Sequence, residues 1–334
     1  MDIVTQAVLG ATVAQSAAKK EHIRLATIVG LVAGVIADAD IFIRSSSDPL
    51  LSLEFHRHFT HSIFFIPVGA GIAFLLLWPF LRNKLSATYL YLYCLLGYLL
   101  SGFIDACTSY GTYLLWPLIN TRISWHIISI IDPVFTFTLI AAIIIGYKKL
   151  SSRASHIGIA FAGIYLLFAF SQMNRAEDSV IELAEQRGHT IEKIIVKPTI
   201  GNLLLWRSVY LSNETFYVDA VRVGFSKRIY QGNAIEKFNI KATFPGLDTR
   251  SLLAEDIQRF VTFSDGYVSE YPGRPATLGD VRYSMSPIGT KPLWGIEINP
   301  DVPGQHVKFA NYRESNKKVR EQFLDMILNR PVNQ

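Results

Sequence analysis

Cysteine is nearly absent from this 334-residue chain: Cys94 and Cys107 lie in or at the end of apolar runs, and the second half has none. No disulfide framework can therefore hold that half together. Strong charge of either sign is missing too. Residues 1–173 carry 11 of the 32 Lys and Arg and 8 of the 27 acids, which leaves 21 and 19 for residues 174–334. Net charges of +3 and +2 are too mild to argue for a nucleic-acid partner. A basic region is lacking at the start, where Met1-Asp2-Ile3-Val4 holds an acid, and no small-residue cleavage site follows a short apolar core. No signal peptide is expected on those grounds.

What is present is apolar length. Half of the chain is hydrophobic, and charge is thin in the first half and dense in the second. That contrast predicts an α-helical membrane domain over 1–173, followed by an α+β soluble domain over 174–334. Five apolar runs, about 25–43, 63–81, 88–107, 127–146 and 156–173, are each near the ~20 residues a helix needs to cross a bilayer. Residues 3–18 are apolar but rich in small side chains and predict a short helix in the interface or among the spans. Lys19, Lys20 and Arg24 precede the first run, Arg82 and Lys84 separate the second and third, and Lys148, Lys149 and Arg153 separate the fourth and fifth. An excess of cations on the cytoplasmic side then puts the N-terminus inside and the C-terminal domain outside.

The soluble half predicts a helix over 176–187 ended by Gly188, a strand over 190–196 and a hairpin over 203–211 and 216–223. A second hairpin is expected from 260–263 and 267–271 across Asp265-Gly266. Further strands are expected at 281–285 and 293–298, with an amphipathic helix over 315–329. His189 and His306 look isolated there.

The chemistry concentrates in the first half. Asp38 and Asp40 end an otherwise uncharged run, where an ionisable group costs roughly 2.5–3.5 kcal/mol on insertion scales and marks a candidate functional site. The plain structural reading is a helix end solvated at the interface. On a regular helix these two side chains point about 200° apart, so they can serve one site only if the helix ends or unwinds there. His56, His58 and His61 follow within six residues, and helical spacing favours His58 with His61. Arg57 could clamp an anionic group or hold one of the acids. Asp105 closes the third run, and Asp132-Pro133 has the pattern of a helix N-cap with Pro at the first position. By the charge-derived topology these groups share one level on the outer face. Carboxylates beside histidines suit a divalent metal, with zinc favoured by imidazole and manganese or magnesium by carboxylate. Gly30-x-x-x-Gly34 fits close helix packing.

Taken together, Met1-Asp2-x-x-Thr5-Gln6-x-x-x-Gly10, Asp38-x-Asp40, His56-Arg57-x-x-Thr60-His61-Ser62, Asp105-x-x-Thr108-x-Tyr110-Gly111-Thr112 with Trp116-Pro117, and Asp132-Pro133 resemble the YdjM-like membrane-bound metal-dependent hydrolases. That family is grouped distantly with zinc phospholipase C and nuclease P1. The resemblance covers about residues 1–140. It implies a bacterial inner-membrane location and favours His56 and His61 over His58 as ligands. It also raises Asp132 above a cap. Many relatives carry His where this chain has Gln6.

The resulting expectation is metal held by Asp38, Asp40, His56, His61 and Asp105, with Arg57 as clamp and Asp132 as ligand or base. The chemistry expected is hydrolysis of a phosphoester or related bond in a lipid or envelope substrate. A non-enzymatic scaffold with a structural metal and a partner-binding outer domain is the alternative. An ion pathway fits less well, because no acid lies deep in the later runs.

Overall fold

A computed structural model describes residues 1–313 and 317–332. The chain divides into two units. One comprises Met1–Phe42, Phe55–Ser171 and Ile200–Asn202; the other comprises Ile43–Glu54, Gln172–Thr199 and Leu203–Gln334.

The first unit is helical. Among the described residues, four helical stretches are long and apolar enough to cross a membrane: Lys20–Phe42, Ile63–Leu81, Ala87–Ala106 and Arg153–Gln186. They contain α2 (Ile23–Ile36), α4 (Ile66–Leu81), α5 (Ala87–Tyr98) with α6 (Ser101–Ala106), and α8 (Arg153–Gln186). The run expected over 127–146 starts later than its hydropathy indicates. Asp132 accepts from Phe135 N and Pro133 occupies the first turn, so α7 spans Pro133–Lys149, 17 residues at the short end of what a bilayer crossing needs. It nevertheless exposes apolar side chains, Val134, Phe137 and Ile144 among them. The fifth run and the helix expected over 176–187 are one continuous element, α8, followed by Gly188 at φ +72.

Helix α1 (Ile3–Ser16) is buried among the spans along most of its length. A Cβ at Gly10 would lie 2.5 Å from Gly97 O and 2.6 Å from Gly30 O. Three helices thus meet backbone to backbone at glycines, which is the close approach small residues permit. Helix α2 tightens into a 3-10 turn over Ala37–Phe42.

The second unit holds two antiparallel sheets. In the five-stranded sheet β1 (Lys193–Pro198), β2 (Leu205–Ser212), β3 (Thr215–Val223) and β4 (Lys227–Tyr230) are sequential neighbours, and β5 (Ala234–Glu236) pairs with β3. The expected β2–β3 hairpin is present, with Asn213 and Glu214 both at positive φ, the backbone of a tight primed turn. The four-stranded sheet runs β6 (Val268–Glu270), β7 (Thr277–Asp280), β8 (Trp294–Glu297), β9 (Lys308–Asn311). Residues 260–263 do not form a hairpin strand: they end helix α10 (Leu252–Phe263). Ser251 caps that helix, and Leu253, Ile257 and Phe260 repeat at helical spacing on its buried face. The strand expected at 281–285 is displaced to β7. Single-turn helices α3 (Leu51–Phe55) and α9 (Ile240–Thr243) complete the set with α11 (Lys317–Ile327). The first two residues of the helix expected over 315–329 lie outside the described residues.

Residues 43–54, a loop by sequence, are part of this second unit. Leu50 is buried in one core with Leu253, Ile257 and Phe260. Arg259 binds both ends of the segment, with Nη2 2.8 Å from Asp48 Oδ2 and Nε 2.7 Å from Glu54 Oε1.

Candidate metal centre

The site is organised around His61. This residue closes a 3-10 turn, Phe59–His61, and its side chain is fully buried. Its backbone is pressed onto α6 at Gly102, where a Cβ would overlap the His61 carbonyl oxygen. That approach brings Asp105, one turn further along α6, against the imidazole: Asp105 Oδ2 is 2.9 Å from His61 Nε2. Asp38 Oδ1 lies 3.3 Å from the same nitrogen. One ligand atom from each of Asp38, His61 and Asp105 falls within 4.8 Å of the others.

Asp40 takes the other side of the ring. Its Oδ2 is 3.4 Å from His61 Nδ1 and accepts from Thr60 Oγ1 at 2.9 Å and from Arg57 N at 2.7 Å. The two aspartates therefore diverge, as i and i+2 must, and grip opposite nitrogens of one imidazole. Thr60 gives its single proton to Asp40, so its oxygen, 3.0 Å from His61 Nδ1, accepts from that nitrogen. In a neutral imidazole the proton is then on Nδ1, and Nε2 presents its lone pair to Asp38 and Asp105. His61 Nε2 is a buried nitrogen without a hydrogen bond. A nitrogen facing two carboxylate oxygens is the place for a proton or a metal cation, and the donor set suits zinc or manganese. The residues fit a divalent ion.

Other expected residues have different roles. Asp40 lies on the Nδ1 side of the ring, outside the Asp38–His61–Asp105 group, and its Oδ1 accepts from His56 Nδ1 at 2.9 Å, so His56 stands behind it. Arg57 is buried, at positive φ, with Nη1 donating to Thr108 Oγ1, Nη2 to Met1 O, and Nε 3.3 Å from Asp105 Oδ2. It holds an acid and is not free to clamp a substrate. Burial lowers its pKa, with Asp38 opposing. Burial likewise holds the Met1 amino group, which ion-pairs with Asp105, well below its usual value. Asp132 is fully buried but bonds to Phe135 N and, at 2.8 Å, to the Tyr165 hydroxyl, not to Asp38, His61 or Asp105. Its role is the helix cap that its Pro133 neighbour indicates. His58 packs against Tyr113 and Trp116.

Gln6, singled out by the resemblance, donates to Asp105 Oδ2 at 3.0 Å; the sequence pattern did not point to Gly102 or to Tyr98, whose hydroxyl donates to Thr60 O at 2.6 Å. The only signal available for them was the placing of Gly102 one turn before Asp105. His306, which looked isolated, lies 2.8 Å from Asp256 Oδ2. With Asp48 they form a second close carboxylate–histidine group, but Arg259 already bonds both carboxylates there.

These features define a multi-helix membrane protein with a buried carboxylate–histidine centre. The chain belongs to the YdjM inner membrane protein family, whose profile matches residues 1–176. It is also similar to the "Uncharacterized protein YfhP" of Bacillus subtilis (strain 168), 26% identical over 267 residues that cover 78% of this chain and 76% of that protein. That stretch is longer than the family-matched one, so the likeness reaches into the C-terminal unit. No solved structure matches.

Proposed function

We propose that this chain is a membrane-bound metal-dependent hydrolase acting on a phosphoester or related bond of a lipid or envelope substrate. The observation that supports it most is the convergence of Asp38 and Asp105 on the buried His61 Nε2, at 3.3 and 2.9 Å, with no hydrogen bond made at that nitrogen. Asp38, His61 and Asp105 would hold the metal; a divalent ion supplies Lewis-acid polarisation and acidifies water. Asp40 and Thr60 fix the ring, the outer-shell role that keeps a ligating histidine in one orientation. Arg57 and Gln6 position Asp105. Asp38 has a side chain 13% exposed whereas those of His61 and Asp105 are sealed. It is therefore the carboxylate that meets water and substrate, and it replaces Asp132 as the candidate base.

The outer compartment is the proposed side. Residues 43–54 follow the first span and share a core with the C-terminal unit, so both belong to one side of the membrane. The cation-rich loops assign the opposite side to the cytoplasm.

A scaffold with a structural metal has one observation in its favour: Asp105 is crowded by Arg57 and Gln6, which leaves it little room to rearrange. Purified protein assayed on a chromogenic phosphodiester separates the two. The enzyme reading expects chelator-sensitive hydrolysis restored by zinc or manganese and lost in Asp38→Asn. A metal-loaded, folded protein inert on phosphomono- and phosphodiesters would favour the scaffold.

A further inference from the structure

The five-stranded sheet of the C-terminal unit buries more positive charge than it neutralises. Lys197 on β1 and Arg207 on β2 are directly opposed across the antiparallel ladder, a pairing in which like charges repel. Arg282 is buried beside them, and Asp280 is the carboxylate acting on this group. Both oxygens of Asp280 are taken by Arg282, through Nε at 2.9 Å and Nη2 at 2.6 Å. Arg207 spends its donors on backbone carbonyls of residues 281, 282, 286, 287 and 289. Three cations therefore share one carboxylate. The Lys197 amine is the group left over. Its residue is 9% exposed, its Nζ sits 3.4 Å over the Tyr283 ring, and it makes no hydrogen bond among the described residues. An ammonium with unused donors, largely withdrawn from water yet still reachable from it, is stabilised when an anion meets it.

We propose that Lys197, with Arg282 beside it at Tyr283, forms a binding site for a small phosphate-type oxyanion. Arg282 also stacks on Tyr283, 5.4 Å from the ring centroid, and the described contacts leave its Nη1 donors unused. Both cations thus lie against the Tyr283 ring with N–H groups available, and paired cationic donors are what bind tetrahedral oxyanions. Burial and the neighbouring Arg207 push the Lys197 pKa well below its usual value, and a bound anion would restore the charged amine. The site lies wholly within the C-terminal unit and is independent of the metal reading. Free phosphate and the phosphate of a glycerol headgroup share the chemistry.

Equilibrium dialysis of the full chain against radiolabelled inorganic phosphate, with glycerol phosphate as competitor, tests the proposal. Using His61→Ala protein removes any phosphate bound through the metal centre. Binding is expected, with loss in Lys197→Met and recovery in Lys197→Arg; stronger competition by glycerol phosphate would identify a headgroup. Absence of binding, or equal binding by Lys197→Met, overturns the site. Should Lys197→Met fail to fold, amine labelling of Lys197-intact protein decides. Phosphate at about ten times its dissociation constant should slow Lys197 labelling about tenfold, whereas the exposed Lys308 keeps its rate. Equal rates for Lys197 with and without phosphate would contradict the proposal.

Discussion

His61 carries the candidate centre because its two ring nitrogens have different partners. Nδ1 is held by Thr60 and Asp40, and Nε2 faces Asp38 and Asp105. Helical spacing paired His58 with His61, whereas His58 packs among aromatic rings, because it stands at the N-cap of the Phe59–His61 3-10 turn in a non-helical conformation, outside the turn that carries His61. The divergence of Asp38 and Asp40 was legible in their i, i+2 spacing; which of them faces the lone pair was not, since that depends on the fold of the 3-10 turn. Substitutions should separate the roles. Asp38→Ala and His61→Ala are expected to abolish divalent-metal binding. Asp40→Asn, which disturbs only the ring's support, should weaken it about 10–100-fold. His58→Ala should leave it unchanged. Titration of the four purified variants with zinc, followed by calorimetry, checks this, and equal losses for His58→Ala and His61→Ala would refute the assignment.

At the scale of elements, the centre is assembled by two close approaches. One is the 3-10 continuation of α2, which sets both aspartates beside His61. The other is the contact of α6 with the His61 backbone at Gly102. Hydropathy located the span that contains α6 but had no means of showing what lies across a glycine. The same limit explains residues 260–263: a short apolar run reads as strand or helix, and the Ser251 cap with its helical repeat decides for helix. Gly102→Ala forces a methyl group into the His61 carbonyl. It is expected to destabilise the protein by about 1–3 kcal/mol and to lower metal affinity, although it removes no donor. Denaturation and zinc titration of the variant measure both; wild-type affinity would mean the approach does not position the site.

At the scale of the whole molecule, connectivity constrains the membrane topology. Residues 43–54 precede the second span, and the sheets of the C-terminal unit follow α8, yet residues 43–54 share a core around Leu50 and the Arg259 ion pairs with that unit. An even number of crossings must separate them. If the candidate spans Ile63–Leu81, Ala87–Ala106 and Arg153–Gln186 all cross, they make three, and we propose α7, despite its 17 residues, as the fourth. The sequence carried most of this architecture through its apolar runs and loop cations, because both are local. The incorporation of 43–54 depends on contacts more than 200 residues away, Arg259 with Asp48 and Glu54, and no local pattern signals it. If the N-terminus is cytoplasmic, as proposed from the loop cations, alkaline phosphatase fused after the C-terminal unit should be active, and so should a fusion placed after residue 54. One active and one inactive fusion would break the parity argument.

Asp38, His61 and Asp105 are proposed to hold a divalent ion through His61 Nε2. Metal analysis with X-ray absorption spectroscopy on the purified full chain tests it most directly. The account predicts about one zinc or manganese per chain, coordinated by a single imidazole nitrogen and carboxylate oxygens, and lost in His61→Ala. Protein that binds neither metal, or binds it equally in His61→Ala, would contradict the account and leave His61 as a structural ion pair between two aspartates.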